Sequence, residues 1–361
     1  MNESKKVPMM RSLAKRAQDI GRLISPSFKG FAAIGAVIGI AMIGYAYAAG
    51  FFYGGLTPQQ IVDRQQGSQP YAGFRRAHAK GVCIEGTFQS SGGLATYSRS
   101  PIFMAGQITP VVGRFSIGGN NPTAPDLKAG VRSLALDFRL ANGERWRTAM
   151  NTPPVLAVRD PQAFFEQIAA GAPDPVTGKP DPARLAAFAA AHPEGASFRA
   201  WQASYMPSES FATERYHSIN AFWLIANDGK RQATRWQAEP LEGTRVEGAS
   251  GSDALSEELS RRIAAAPVRF SLNFVLALPE DPIADPSQPW PQDRSKINAG
   301  TVEITRVTAQ RGGSCDGINF DPLVLPSGIE PSNDPILHAR SAAYAVSLKR
   351  RAIEAAMEGR Q

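Results

Sequence analysis

Two groups of residues with the types and spacing for chemistry stand at opposite ends of this chain: Arg75-Arg-Ala-His78, and Arg340-Ser-Ala-Ala-Tyr344. Residues four apart share a helix face, so the permanently charged guanidinium of Arg340 would lie beside the phenol of Tyr344 and favour the phenolate. A phenolate aimed at a cofactor pocket can bind ferric haem iron axially, and His78 on the other side of the ring would then be an acid/base group. Each motif alone also has an ordinary reading, an arginine stacked on a surface tyrosine. The spacing continues, however: Arg340, Tyr344, Ser347 and Arg351 line one stripe of a helix expected over Pro335 to Arg360. A core-facing stripe would be aliphatic, whereas this one suits a polar or anionic ligand; an amphipathic surface helix is the alternative.

Those two ends must be brought together by what lies between them. Leu56-Thr57-Pro58-Gln59-Gln60 reads as a helix start, with Thr57 as cap and Pro58 at the first helical position. Strand-like runs follow at Gly81 to Gln89, Ile108 to Ile117, Val131 to Leu140 and Arg145 to Met150, separated by turns such as Gly118-Gly119-Asn120-Asn121 and Asn142-Gly143. Two helices opened by Asp160-Pro161 and Asp181-Pro182 interrupt them. Strands resume at Tyr216, with a hairpin turn at Asn227-Asp228-Gly229-Lys230, a capped helix from Ser252, and strands at Phe270 to Leu278 and Thr301 to Val307. A Pro-rich loop over residues 280 to 292 joins the last two strands. Two antiparallel strand sets split by helices are compatible with a closed barrel, in which closure removes the unpaired edges.

The composition, 43% hydrophobic and 20% charged with 33 Gly and 28 Pro, is that of a globular, turn-rich chain. The net charge of +7 does not indicate nucleic-acid binding, because residues 1 to 30 carry +5 of it and the remaining +2 is spread over the rest. That basic leader flanks an uncharged run from Phe31 to Tyr53. As a helix the run would be about 35 Å long, enough to cross a hydrocarbon core of about 30 Å. The division expected is a cytoplasmic leader at 1 to 30, a single-pass inner-membrane anchor at 31 to 53 and a periplasmic domain at 54 to 361. Cleavage after Ala46-Tyr47-Ala48 as a signal peptide is the alternative, and would leave the domain soluble in the periplasm. Cys83 and Cys315 allow at most one intramolecular disulfide, and a pair of buried free thiols is the expectation; their spacing excludes a CxxC metal or redox site. His192, His217 and His338 lack the partner spacing of a metal site and read as structural.

Five segments, in order, resemble the haem catalase superfamily and in particular its small catalase-related peroxidases. They are Phe74-Arg-Arg-Ala-His-Ala-Lys-Gly81, Val112-Gly-Arg-Phe-Ser116, Met150-Asn-Thr-Pro-Pro with Val158-Arg-Asp-Pro161, Phe320 to Pro335, and Arg340 to Arg351. The resemblance implies an α+β fold, an eight-stranded antiparallel barrel with haem against it and helices around it. It also implies roles that the chemistry makes sensible. His78 would move a proton between the two peroxide oxygens so that the O–O bond breaks heterolytically. Asn151 would donate an amide hydrogen bond to the peroxide, and Ser116 would hold the His78 ring. A turn-forming Asn and a strand-surface Ser are the ordinary readings of the last two. Tyr344 would be the axial iron ligand, with Arg340 keeping it ionised, and Arg75, Arg114 and Arg351 would bind the haem propionates.

Departures from the large catalases shape the reaction the resemblance implies. The chain lacks their N-terminal arm and C-terminal extension, a distal aromatic position reads Leu156, and the His usual after the axial Tyr is Leu348. A more open pocket disfavours peroxide dismutation and favours oxidation of organic donors. The expected activity is reduction of hydrogen peroxide or organic hydroperoxides by a small organic electron donor, with haem, b-type by expectation, in a monomer or dimer and with little or no catalase activity. Hydroperoxide isomerisation of the allene oxide synthase type and a non-enzymatic haem-binding barrel are the rival readings. A carrier has no use for the His78, Asn151 and Ser116 set.

Overall fold

The computed structural model describes residues 30–31, 33–44, 55–68, 70–242 and 250–358. The chain divides into two units, residues 1–57 and residues 58–361. In the first, residues 30–31 and 33–44 are helical. Among the described residues no helix is long and apolar enough to cross a membrane. Residues 45–53 of the expected anchor, and the basic leader up to residue 29, lie outside the described residues.

The second unit is built on ten strands: β1 (Gly81–Ser90), β2 (Ile108–Ile117), β3 (Arg132–Arg139), β4 (Arg145–Asn151), β5 (Tyr216–His217), β6 (Phe222–Ile225), β7 (Arg231–Pro240), β8 (Val268–Leu276), β9 (Lys296–Ala309) and β10 (Ile329–Pro331). Eight close into an antiparallel ring in the order β1-β2-β3-β4-β5-β7-β8-β9, with β9 pairing back onto β1. Strands β6 and β10 extend β7 outside the ring. Closure leaves the barrel no free edge, which is why its strands tolerate long alternating runs without an aggregation-prone border. Two-residue β5 is the seam between the halves: Asn151 of β4 pairs with His217, and Tyr216 pairs with Ala238 of β7.

Alternation along each strand sends one set of side chains inward and the other out. Phe88, Phe115, Leu134, Phe138, Trp146, Trp236, Phe270 and Phe274 fill the interior, all fully buried. Phe138 stacks on Trp146 with centroids 4.4 Å apart, and the Trp236 indole N–H donates to Thr148 Oγ1 at 2.8 Å, so the deepest polar atom of that ring is satisfied. The opposite face of β1 to β4 presents Cys83, Val112, Arg114, Ser116, Ser133, Ala135, Ala149 and Asn151, and this outer wall carries the site.

Six helices surround the barrel: α1 (Pro58–Gln66), α2 (Pro161–Ala170), α3 (Pro182–Ala191), α4 (Ala196–Ser204), α5 (Ala254–Ala265) and α6 (Pro335–Glu358). The Asp-Pro signals act as expected. Asp160 Oδ1 accepts from Ala163 N at 2.9 Å and Asp181 Oδ1 from Ala183 N at 2.8 Å, each with proline opening the helix. The Asn227–Lys230 hairpin also forms, with Gly229 at φ 81°. Short α4 and β10 were not anticipated; neither has a periodic apolar pattern long enough to stand out.

One expectation is corrected. Cys83 and Cys315 are not free thiols: they form a disulfide across a sequence separation of 232 residues, and both are fully buried. Spacing could not show this, because β1 and the loop after β9 meet only once β9 has paired back onto β1.

Candidate active site

Helix α6 lies along the outer wall with its polar stripe turned toward it. Arg340 at the first turns donates to the Ala149 carbonyl of β4 at 3.0 Å and to Asn220 Oδ1. Asn220 in turn donates to Asp334 Oδ2 at 2.6 Å, and Asp334 Oδ1 caps α6 by accepting from Ile336 N at 2.8 Å. Burial pushes the Asp334 carboxyl above its ordinary range, opposed by those hydrogen bonds and by Arg340. One turn on, Tyr344 packs against the cluster of Cys83, Val112, Cys315 and Phe320. Ser347 Oγ accepts from Arg76 N at 3.5 Å, and Arg351 donates to the Asp316 carbonyl at 3.2 Å. The stripe read from the sequence is therefore a contact surface, not a solvent face.

Residues 71–80 form the second wall. Arg75 donates to the carbonyls of Cys315 at 3.3 Å and Ile318 at 3.0 Å, with Phe320 beneath its guanidinium. Arg76, 3% exposed, is paired with Glu354 of α6, whose other oxygen accepts from Gly73 N at 2.7 Å. His78 follows with φ 54°, a left-handed backbone that a non-glycine residue adopts only when its surroundings hold it. Its neighbours do so: Ala79 N bonds the Gly119 carbonyl, and the His78 carbonyl accepts from Arg114 Nη2 at 2.8 Å. Gly81 lets Arg114 reach that position, since a Cβ there would stand 2.2 Å from the Phe115 carbonyl oxygen and 2.8 Å from the guanidinium carbon.

Electrostatics separate the acid/base group from the charged ones. Burial, reinforced by Arg114, Arg340 and Arg75, pushes His78 down to about 4, so the imidazole is neutral at pH 7; a backbone hydrogen bond to Ile117 opposes the shift. Burial also lowers Arg75, to about 10, and Arg114 and Arg351, with the three arginines adding repulsion to one another. Asp316 is the nearby acid that counters them, and among the described residues none of Arg75, Arg114, Arg340 and Arg351 forms a salt bridge. Arg351 Nε is buried without a partner.

The structure brings His78, Asn151, Tyr344, Arg340, Arg75, Arg114 and Arg351 to one wall, but it corrects the role read for Ser116. Register places Ser116, Ser133 and Asn151 side by side across β2, β3 and β4. The hydroxyl that reaches the His78 ring is that of the middle residue: Ser133 Oγ is 3.1 Å from His78 Nδ1 and also donates to Asn151 Oδ1. Ser116 is buried in the same row one strand further away. Strand alternation alone puts Ser133 on this face, so the signal existed; the order of strands needed to prefer it over Ser116 did not. Asn220, Asp334 and Gln310, which accepts from Arg114 Nε at 3.1 Å, were also not anticipated.

The barrel and this wall define a class of protein. Residues 72–262 match the catalase family. A bacterial catalase superposes with a TM-score of 0.69 at 21% identity, over 79% of this chain and 58% of its own, and catalase A from Saccharomyces cerevisiae does so with 0.69 at 18%, over 79% and 62%. This chain thus spans less than two thirds of either catalase. Much fuller matches are catalase-related peroxidases: one from Synechococcus elongatus, 40% identical over 89% of this chain and 94% of that protein, and one from Mycolicibacterium paratuberculosis, 35% identical over 82% and 96%. The chain belongs to the catalase family and, within it, to the catalase-related peroxidases.

That family implies haem, and the residues present fit it. A buried group of arginines with no carboxylate pair of its own, one of them with an orphaned Nε, requires an anion, and a planar group bearing two carboxylates supplies it. His78 and Asn151 on one side and Tyr344 on the other provide the polar groups such a ring requires.

Proposed function

We propose that this chain is a haem peroxidase that reduces hydrogen peroxide or organic hydroperoxides with electrons from a small organic donor, with little or no catalase activity. The supporting observation is a neutral, buried His78, at about 4, held beside Asn151 on a wall where Arg75, Arg114 and Arg351 await an anion. Arg75, Arg114 and Arg351 would hold the propionates, and Tyr344 would be the axial iron ligand, with Arg340 favouring its ionised form. When bound, the haem, taken to be b-type, supplies the electrons that break the O–O bond and recovers them from the donor.

This chain's own groups handle the protons. A neutral imidazole can accept one from the incoming peroxide and return it to the leaving oxygen, which departs as water or as an alcohol rather than as a poor anionic leaving group. Asn151 orients the peroxide with its amide. Two electrons and two protons from the donor complete the reduction of one peroxide. The shorter chain leaves the pocket less enclosed than in the large catalases, which favours donor access over the second peroxide needed for dismutation.

An exported, membrane-anchored location is part of the same proposal. Residues 31 and 33–44 are helical and show Phe31, Ile34, Val37, Ile40 and Ile43 all exposed, an apolar surface suited to lipid. A buried disulfide suits an oxidising compartment. The domain would then act in the periplasm as a monomer or dimer, with signal cleavage as the alternative that the mass of the mature N-terminus decides.

The full chain loaded with haem tests the catalytic reading. A high-spin ferric spectrum that is lost or altered in Tyr344→Phe, together with donor oxidation far exceeding oxygen release, is the expected result. Comparable rates of oxygen release and donor oxidation, or turnover of a lipid hydroperoxide to an isomer with no donor present, would overturn it.

A further inference from the structure

The strand register and one hydroxyl carry a finer assignment, which rests on the acid/base reading of His78. We propose that Ser133 is a positioning residue that fixes the His78 tautomer and the Asn151 amide orientation at once, so that both present their working atoms to the peroxide. A serine hydroxyl has a single proton to donate and two lone pairs to accept with. Ser133 gives its proton to Asn151 Oδ1, which as an amide oxygen can only accept. The contact between Ser133 Oγ and His78 Nδ1, at 3.1 Å, must then be donated by the imidazole. His78 therefore carries its proton on Nδ1 and leaves Nε2 with a bare lone pair, the tautomer a base needs. The same bond occupies the oxygen end of the Asn151 carboxamide, leaving the NH2 end to donate to an incoming oxygen.

Three features make the arrangement specific to position 133. It is the middle of the Ser116–Ser133–Asn151 row, so only from there can one hydroxyl reach both His78 and the strand beyond. Ser133 is 7% exposed, which keeps water from competing for its proton. His78 is locked at φ 54° with Arg114 on its carbonyl, so the ring comes to the serine with little freedom to seek another partner. The order of donation runs one way, from His78 Nδ1 to Ser133 to Asn151, and any break in it changes the tautomer.

Long-range 1H–15N correlation on the haem-free full chain labelled in histidine reads the tautomer directly, separately from turnover. The wild type should show a protonated Nδ1 and a bare Nε2. Ser133→Ala should give mixed tautomers, Ser133→Thr should restore the wild-type pattern, and Ser116→Ala should leave it unchanged. Asn151→Ala offers an independent arm that does not touch Ser133: it frees the serine proton to turn toward Nδ1 and should raise the Nε2–H form. In the loaded enzyme, Ser133→Ala should lower the second-order rate with peroxide about tenfold to a hundredfold, leaving the affinity for the organic donor unchanged. A wild-type tautomer retained in both Ser133→Ala and Asn151→Ala, or a tautomer shift in Ser116→Ala instead, overturns the assignment. If the tautomer shifts as expected while His78→Gln still reduces peroxide at the wild-type rate, the catalytic reading of His78 fails and the positioning role of Ser133 stands.

Discussion

Removing the Cys83–Cys315 disulfide should cost this protein both stability and its hold on haem. The bridge closes a loop across a sequence separation of 232 residues. The chain-entropy relation gives about 5 kcal/mol for a loop of that length, the upper end of what a disulfide contributes. Its place makes the loss more than global. Cys315 opens the segment whose carbonyls at Cys315, Asp316 and Ile318 fix Arg75 and Arg351, and the sulfurs belong to the cluster on which Tyr344 packs. Gly313 presses close to it as well, since a Cβ there would lie 3.1 Å from Cys83 Sγ and 2.0 Å from the Ala309 carbonyl oxygen. The double variant Cys83→Ala/Cys315→Ala, unfolded with urea in the haem-free state, should therefore lose several kcal/mol. Loaded with haem, it should release the group at least tenfold faster to a haem-scavenging globin, since two of the arginines lose their anchors. A stability loss below about 1 kcal/mol would refute the loop-closure reasoning. An unchanged release rate would refute the link between the bridge and the arginine cradle, whatever the stability.

Three further outcomes follow from named contacts. His78 and His217 are both depressed to about 4 by burial, so each stays neutral in the fold while the unfolded chain takes up a proton near pH 6.5; stability is flat above that and falls as the pH drops from 6.5 toward 4. Each contributes up to about 2 kcal/mol of loss at pH 5, so urea midpoints should drop clearly between pH 7 and 5, and a flat profile would count against both assignments. Gly81→Ala, whose Cβ meets the Phe115 carbonyl and the Arg114 guanidinium, should cost about 1–3 kcal/mol and weaken haem binding at least tenfold in a titration; an unchanged affinity would show that Arg114 can hold its place without that space. Glu354→Gln should lower stability by about 2–3 kcal/mol by stranding buried Arg76, and adding Arg76→Met should return most of it, a recovery that thermal melts would show to be absent if the pair did not matter.

Much of this architecture is local in origin and therefore legible in the chain. Strands β1 to β4 declare themselves by alternation and by Gly- and Asn-rich turns, and α2 and α3 by an Asp-Pro pair that caps and starts a helix. The polar stripe of α6 is likewise a property of 3.6-residue periodicity, so Arg340, Tyr344 and Arg351 could be placed on one face before any partner was known. The family motifs added His78, Asn151, Arg75 and Arg114, each on a segment whose own residue order marks it.

What the sequence could not settle are relations between segments distant along the chain. Ser116 and Ser133 both alternate onto the outer wall, and only the pairing of β2 with β3 and of β3 with β4 makes Ser133 the neighbour of Asn151. Cys83 and Cys315 look like two solitary thiols until β9 returns to β1 and closes the barrel. The Arg340–Asn220–Asp334 chain joins α6 to residues more than a hundred positions earlier. The sequence by itself thus determined the elements, the faces they bury and the kinds of group they carry, because propensity, capping and periodicity act within a few residues. The tertiary structure alone decided which hydroxyl holds His78, which cysteines meet and which carbonyls hold the arginines, because these depend on register and closure between strands that local patterns leave free.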